Sequence, residues 1–346
     1  MNVVVAMSGG VDSSVAASLL KQEGHTVTGV TMRLRTDGDE SDAEAARSAA
    51  AQIGIEHTTV DFSEQFTGKV IDNFCGEYTT GRTPNPCVLC NRTIKFGALL
   101  DWTRQQGADR LATGHYARLT ESKGDDVTLR TGVDATRDQS YFLSRLTREQ
   151  LRQVIFPVGN LTKKQVKEIA ADLGLPAAER PESREICFIP DNDHASFVNR
   201  FLEREPAPGP ILAKGGETLG QHRDIVSYTI GQRHGLGIAA PYPLYVTGID
   251  AARNAVIVGE ESETKGLDLT ASDMNWLTAN IPDKPFRAQA KIRYRAKPAE
   301  AEVFPEGNTI YVKFTELQKA VTPGQTIALY QQDTVIGGAI IERQGR

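Results

Sequence analysis

Cysteine is scarce: the chain has four in 346 residues, at positions 75, 87, 90 and 187. So few thiols in so long a chain make no disulfide framework, and a reducing, cytoplasmic setting is expected. Long apolar runs are lacking too. None approaches the roughly 20 residues that a membrane-spanning helix needs, so no membrane role is expected. The N-terminus enters a strand pattern directly, without the charged lead and cleavage site of a secretory signal. Positive charge is not in excess, the net charge being −5, and a nucleic-acid partner would therefore need a locally basic surface. There is no internal repeat and no low-complexity tract. No glycine loop ends in Gly-Lys-Ser/Thr, which excludes a phosphate loop of the Walker type.

What is present is organised around Met7-Ser8-Gly9-Gly10-Val11-Asp12-Ser13-Ser14. The apolar run Asn2-Val3-Val4-Val5-Ala6 before it reads as a buried strand. After it, Val15, Ala16, Leu19 and Leu20 share a helical face, and Gly24 stands where a helix C-terminus belongs. A strand-to-helix turn of this kind aims unpaired backbone N–H groups and the positive end of the helix dipole at one point, an anion site. Gly9 and Gly10 permit close approach of a phosphate. Ser8, Ser13 and Ser14 add hydroxyls, and Asp12 is placed to hold Mg²⁺ or to cap the helix. A glycine-rich turn with no ligand is the plain alternative.

Length suggests two or three domains at about 150 residues each. Up to about residue 204, strand and helix signals alternate, predicting a parallel sheet covered on both faces. Strands are expected at 26–32, 56–61 and 110–113, and helices at 62–80 and 91–106. A helix ending at Gly54 follows an acidic loop that starts near Asp37, and Thr162 with Gln165 makes a capping box for a helix ending at Gly174. The prolines of 81–86 require a loop. Glu205-Pro206-Ala207-Pro208-Gly209-Pro210 is a linker signal. We therefore expect a catalytic domain over 1–204, a small mixed or β domain over 205–266, and an antiparallel β-barrel over 267–346 built from runs such as 288–294, 309–314, 326–330 and 334–341.

Cys87 and Cys90 stand three residues apart on a loop leading into a helix, where a thiol has a lowered pKa, so Cys90 is expected as a reactive thiolate. Cys187 lies far along the chain. Three alternatives are open: a Cys90–Cys187 nucleophile and sulfur-carrier pair, a three-thiol [4Fe-4S] site made by Cys87, Cys90 and Cys187, or half of a structural zinc site. Zinc wants four protein ligands; no second C-x-x-C exists, and His115 and His194 lack ligand spacing. Cys75 falls on an apolar helix face as a packed thiol. Residues 284–297 hold six cations and no acid. On one strand Lys291, Arg293, Arg295 and Lys297 would share a face, with Tyr294 opposite, as a strip suited to a phosphate backbone or simply to water.

Ser8-Gly9-Gly10-Val11-Asp12-Ser13 resembles the pyrophosphate loop of the ATP pyrophosphatases, the PP-loop enzymes with an adenine nucleotide alpha hydrolase-like fold. With it stand Gly81-Arg82-Thr83-Pro84-Asn85-Pro86-Cys87-Val88-Leu89-Cys90-Asn91, Thr113-Gly114-His115-Tyr116, Asp138-Gln139-Ser140-Tyr141-Phe142, Ile186-Cys187-Phe188-Ile189, Tyr228-Thr229-Ile230-Gly231-Gln232-Arg233 and Lys291-Ile292-Arg293-Tyr294-Arg295. Together they are similar, in order and over nearly the whole chain, to the bacterial tRNA-specific 2-thiouridylases.

The resemblance implies ATP and Mg²⁺ use, adenylation of the wobble uridine of tRNA, and sulfur insertion by Cys90 and Cys187. A persulfide donor protein and a disulfide reductant would be the partners. It implies ATP contacts at Ala6, Met7, Ser8, Gly9, Gly10, Val11, Asp12, Ser13, Met32 and Gly114. The target base would lie by Asn85, Pro86 and Cys87, and tRNA by His115, Arg137, Asp138, Gln139, Arg293, Tyr294 and Gln325. Many relatives carry Asp in the place of Cys87, and 182–185 reads Glu-Ser-Arg-Glu where others have a Ser-Thr-Gly run. Another adenylating synthetase, or a tRNA-binding protein keeping a nucleotide site for regulation, are the competing functions.

Overall fold

A computed structural model describes residues 1–35, 40–122, 126–175 and 186–344. The start of the acidic stretch expected from Asp37, residues 37–39, and all of 182–185 lie outside the described residues. Val3, Val4 and Val5 are all buried, because their strand, Asn2–Ala6, is the middle of a five-stranded parallel sheet and is covered on both faces. Val3 and Val5 meet Ala17, Leu20 and Ala49 on one side, and Val4 meets Phe66, Ile94 and Leu99 on the other, as the two-residue period requires. Thr26–Arg33 and then Glu56–Asp61 extend the sheet in one direction, Arg110–Thr113 and Val154–Ile155 in the other. The chain leaves the central strand on one side and returns on the other. The crevice beyond the strands' C-terminal ends at that reversal is where α/β sheets bind ligands.

Two segments open differently from expectation. The second long helix begins at Pro86 rather than Asn91. Proline denies the helix interior but suits the first helical position, where its missing N–H is not needed. That helix passes through a π-wound stretch, Asn91–Ala98, before Leu99–Gln105. The strand expected over 288–294 is Phe286–Lys291 and gives way to a turn closed by Ala296 N–H on Arg293 C=O at 3.1 Å. Lys291, Arg293, Arg295 and Lys297 therefore do not line one strand face.

The capping box at Thr162 forms as expected at the start of Lys163–Asp172. A four-stranded mixed sheet follows, ordered Tyr245–Asp250, Ala255–Gly259, Gly209–Ala213, Thr218–His222. Six antiparallel strands from Lys265–Trp276 to Thr334–Gln344 close on each other as a barrel, filled by residues such as Leu269, Val303, Val312 and Ile327. A hairpin from the first part of the chain, Ala117–Ser122 with Asp126–Thr131, extends the barrel's sheet at the Thr334–Arg130 register. Arg118 and Arg130 both ion-pair with Asp333 there, at 2.9 and 2.8 Å. No helix among the described residues is long and apolar enough to cross a membrane.

Candidate active site

The glycine turn leaves the central strand at the crevice. Gly9 has φ +72°, a left-handed value that suits glycine. Gly10 starts the helix Val11–Gln22. Ser13 Oγ accepts from Ser8 N–H at 3.2 Å and donates to Gly10 C=O at 3.0 Å, and Ser14 Oγ donates to the same carbonyl at 3.1 Å. These hydroxyls hold the loop's shape. Met7 is buried, and Ala6 and Met32 are half-buried at the ends of the paired central strands. Gly114, just after the neighbouring strand, packs backbone to backbone on the turn: a Cβ there would lie 2.7 Å from Asp12 C and Ser13 N. The structure thus gathers Ala6 to Ser13, Met32 and Gly114 at one end of the sheet.

Asp12 is already partnered. Its Oδ1 accepts from Lys163 Nζ at 2.7 Å and from Tyr116 Oη at 2.7 Å, and Oδ2 accepts from Lys163 Nζ at 2.9 Å. Among the described residues no group of three His, Cys, Asp or Glu could hold a metal ion. The residues as arranged do not fit a protein-held Mg²⁺, nor do Cys87, Cys90 and Cys187 form a ligand set for a cluster. The positive charge at this mouth belongs to Lys163, a buried side chain. Sequence reasoning missed it, since no spacing links a helix start at 163 to a loop at 12.

The thiols stand on the next structural layer. Asn85 precedes the helix that starts at Pro86, and its Oδ1 accepts from Val88 N–H at 3.3 Å, which caps the helix. The Tyr141 hydroxyl donates to Thr326 C=O at 2.8 Å. Pro86 is buried. Cys87 is exposed at the helix start, whereas Cys90, one turn in, is only 8% exposed. Burial pushes the Cys90 thiol up to about 12, with Lys95 pulling it the other way. The expected low pKa is not found at Cys90, because the helix start is Pro86 and the helix covers this sulfur.

Cys187 is exposed. The next residue, Phe188, is buried edge-on against Phe66 and Phe74, with ring centres at 5.6 and 5.2 Å, which fixes where Cys187 emerges. Crowding raises the Cys187 thiol, and the charges of Lys95 and Arg35 lower it. Cys87 and Cys90 both sense the charge of Cys187. The charge of Lys95 also bears on His115, the neighbour of Gly114. Cys75 is a fully buried thiol.

The residues that the resemblance assigned to tRNA fall in two places. His115 is buried between Phe96 and Phe156, its Nδ1 2.7 Å from Thr113 Oγ1, and burial drives its pKa well down, so it stays neutral. Asp138 is buried: it accepts from Gly132 N–H, Ser140 N–H and Ser140 Oγ at 2.9, 3.1 and 2.8 Å. Gln139 Oε1 accepts from Tyr116 N–H at 3.0 Å, and Arg137 sits half-buried beside them. On the barrel side Tyr294 packs on Phe142 at 4.4 Å, Lys291 Nζ lies over the Tyr141 and Tyr294 rings, and Arg293 donates to Lys319 C=O. Gln325 Nε2 donates to Thr83 C=O and Pro84 C=O at 2.9 and 3.0 Å, and Thr83 N–H donates to Pro323 C=O at 2.9 Å. The barrel is thereby fastened to the loop that carries Asn85.

Comparison with known proteins agrees with this arrangement along the whole length. Residues 1–191 match the tRNA methyl transferase HUP domain, 195–260 the tRNA methyl transferase PRC-barrel domain, and 267–341 the aminomethyltransferase beta-barrel domain. The tRNA-specific 2-thiouridylase MnmA 2 of Thermoanaerobacter sp. (strain X514) is 46% identical over 356 residues, covering 99% of this chain and 98% of that protein. The chain belongs to the tRNA-specific 2-thiouridylase family. MnmA of Geotalea uraniireducens (strain Rf4) is 47% identical, covering 98% and 94%, and MnmA of Acetivibrio thermocellus is 44% identical, covering 98% and 99%. In this 2-thiouridylase fold the glycine turn and the thiols are contributed by the matched region 1–191, and Gln325 by the barrel.

Proposed function

We propose that this chain is the ATP-dependent enzyme that makes 2-thiouridine at the wobble position of tRNA, releasing AMP and pyrophosphate. What supports this is a glycine turn at a helix start, packed on Gly114, in a chain 46% identical over nearly its full length to a tRNA-specific 2-thiouridylase, with Cys90 and Cys187 near enough in the fold for the charge of one to bear on the other. In the first step uracil O2 attacks the α-phosphate of ATP. The O2–P bond forms, the α–β bridge breaks, and the turn holds the departing pyrophosphate by N–H groups and Ser side chains, an electrostatic task. Lys163, already at Asp12, adds positive charge at the same place. The base is presented by the loop of Asn85, Pro86 and Cys87, with tRNA lying across the 137–139 turn and the barrel residues Arg293, Tyr294 and Gln325.

In the second step a persulfide on Cys187, loaded by a donor protein, attacks C2 through its terminal sulfur, and AMP leaves. The Cys90 thiolate then attacks Cys187 Sγ. The S–S bond to the base breaks, leaving C2=S on the uracil and a Cys90–Cys187 disulfide, which an external dithiol reduces. The absence of a ligand set around the three cysteines favours this route over a cluster. An ion carried in on the ATP phosphates needs no cage of protein ligands, so Mg²⁺ as part of the nucleotide is compatible with Asp12 being occupied. Membrane association is not part of the proposal, and the cytoplasm suits four free thiols.

Purified chain, ATP, unmodified tRNA and a persulfide donor should yield 2-thiouridine by nucleoside mass spectrometry. Cys90→Ala and Cys187→Ala should each bring it to background while ATP binding stays within about twofold. AMP release without any thiolated base in the unaltered chain would point instead to another adenylating enzyme.

A further inference from the structure

We propose that Tyr116 and Asp134 are positioning residues for the nucleotide step: between them they hold Lys163 on Asp12, so that the glycine turn meets pyrophosphate without an uncovered carboxylate. This deepens the first step of the thiolation assignment and rests on it. The problem is electrostatic. Asp12 stands in the turn at the crevice, and its side chain keeps 32% exposure. A bare carboxylate there would repel an anion of several negative charges. Both of its oxygens are covered instead. Lys163 Nζ donates to Oδ1 and Oδ2 at 2.7 and 2.9 Å, and Tyr116 Oη donates to Oδ1 at 2.7 Å. Lys163 Nζ also lies 5.9 Å from the centre of the Tyr116 ring, within the range at which an aromatic face attracts a cation. Burial, and then Asp12, push the Tyr116 hydroxyl up, so it stays a donor.

One turn, residues 132–139, sets both partners of Asp12. Asp134 Oδ2 accepts from Lys163 N–H at 2.9 Å. That N–H is the first of the helix Lys163–Asp172, where the helix itself supplies no acceptor, so Asp134 fixes the start from which the Lys163 side chain is aimed. Asp134 Oδ1 accepts from Thr136 N–H and Thr136 Oγ1 at 3.0 and 2.6 Å, which locks the carboxylate within its own turn. The same turn grips Tyr116 by the backbone. Gln139 N–H donates to Tyr116 C=O at 2.9 Å, and Gln139 Oε1 accepts from Tyr116 N–H at 3.0 Å. Gly132 presses on that carbonyl, since a Cβ there would stand 2.8 Å from Tyr116 O. The ammonium and the hydroxyl thus reach Asp12 from distant parts of the chain, and the turn that the resemblance gave to tRNA holds both in place. Neither Tyr116 nor Asp134 needs to touch the nucleotide; each acts through Lys163 and Asp12.

The test is isothermal titration of the full chain with inorganic pyrophosphate and, separately, with AMP, both in the presence of Mg²⁺, for the unaltered protein, Tyr116→Phe, Asp134→Ala and Asp134→Asn. Tyr116→Phe and Asp134→Ala should each weaken pyrophosphate about tenfold, the loss of one hydrogen bond to a charged group, and leave AMP within about twofold. Asp134→Asn, which keeps an acceptor oxygen, should stay close to the unaltered protein. The KM for ATP in tRNA-dependent AMP release should rise by a similar factor in the two weakened variants. Tyr116→Phe keeps the ring and the backbone pairings, so it decides the matter even if Asp134→Ala does not fold. Pyrophosphate affinity that stays in place in Tyr116→Phe overturns the proposal. So does an equal loss for AMP and pyrophosphate, which would make these residues general supports of the domain, and so does an unaltered chain that binds no pyrophosphate. If the affinities move as expected in a chain that thiolates no tRNA, the enzyme assignment fails and the positioning of Lys163 stands.

Discussion

At the scale of single residues, the thiols show how position on a helix decides chemistry. C-x-x-C before a helix suggested a reactive thiolate at Cys90, yet the two members differ because one turn of helix separates an exposed sulfur from a buried one. What the sequence could not tell was which side of the helix start Cys90 occupies, since that depended on Pro86 being its first residue. Cys75 and Cys90 are both pushed up to about 12 by burial, Cys75 with Asp72 adding to it. A thiol whose folded pKa is raised binds its proton more tightly in the folded state than in the unfolded chain, where about 8.5 is usual. That contribution to stability is fully present below pH 8.5 and is lost as pH climbs toward 12. Urea unfolding should therefore weaken from about pH 9 upward. Cys75→Ala should flatten that decline, recovering on the order of 2 kcal/mol at pH 10.5 relative to the loss in the unaltered chain. A parallel decline in both proteins would mean that Cys75 ionises no differently when folded.

At the scale of elements, the strand, turn and helix around Gly9 and Gly10 were legible because the signal is local: a buried strand, two glycines and a helix face all lie within twenty residues of each other. Gly114 was legible only by resemblance. Its need for glycine comes from an approach across more than a hundred residues, with Asp12 C and Ser13 N at 2.7 Å from where a Cβ would stand. Both neighbours are backbone and cannot swing aside. Gly114→Ala must therefore push the turn away from the strand end. tRNA-dependent AMP formation should drop at least about tenfold, while the melting temperature falls by only a few degrees, because the strand pairings beneath the turn are untouched. Normal AMP formation in that variant would mean the turn tolerates displacement and does not need its present shape. The π-wound stretch lies at the other extreme of legibility. Apolar spacing announced a helix there, and nothing in it announced the change of winding.

At the scale of the whole molecule, the parallel sheet and the later β-barrel were legible from alternating strand and helix signals and from the change to β-like runs, but the joints between them were not. The hairpin Ala117–Thr131 joins the barrel's sheet, and Gln325 reaches back to Thr83 and Pro84; such long-range pairings leave no periodic trace. They also break the basic strip that a single strand would have carried. Lys291 lies over aromatic rings and Arg293 is bonded to Lys319 C=O, whereas Lys284, Arg287, Arg295 and Lys297 remain exposed. Phosphate binding by free cations releases counterions, and each such contact adds a fixed increment to the salt dependence of affinity. If tRNA rests on the exposed four, Arg295→Ala and Lys297→Ala should each lower the slope of log affinity against log salt by about one, with little change in turnover at saturating tRNA. Lys291→Met should leave that slope in place and reduce turnover instead, since its ammonium braces the Tyr141 and Tyr294 rings behind the Asn85 loop. Filter binding across 50–300 mM salt, set beside single-turnover thiolation, separates the two kinds of cation. Equal slopes in all three variants would move the tRNA stem to another face of the barrel.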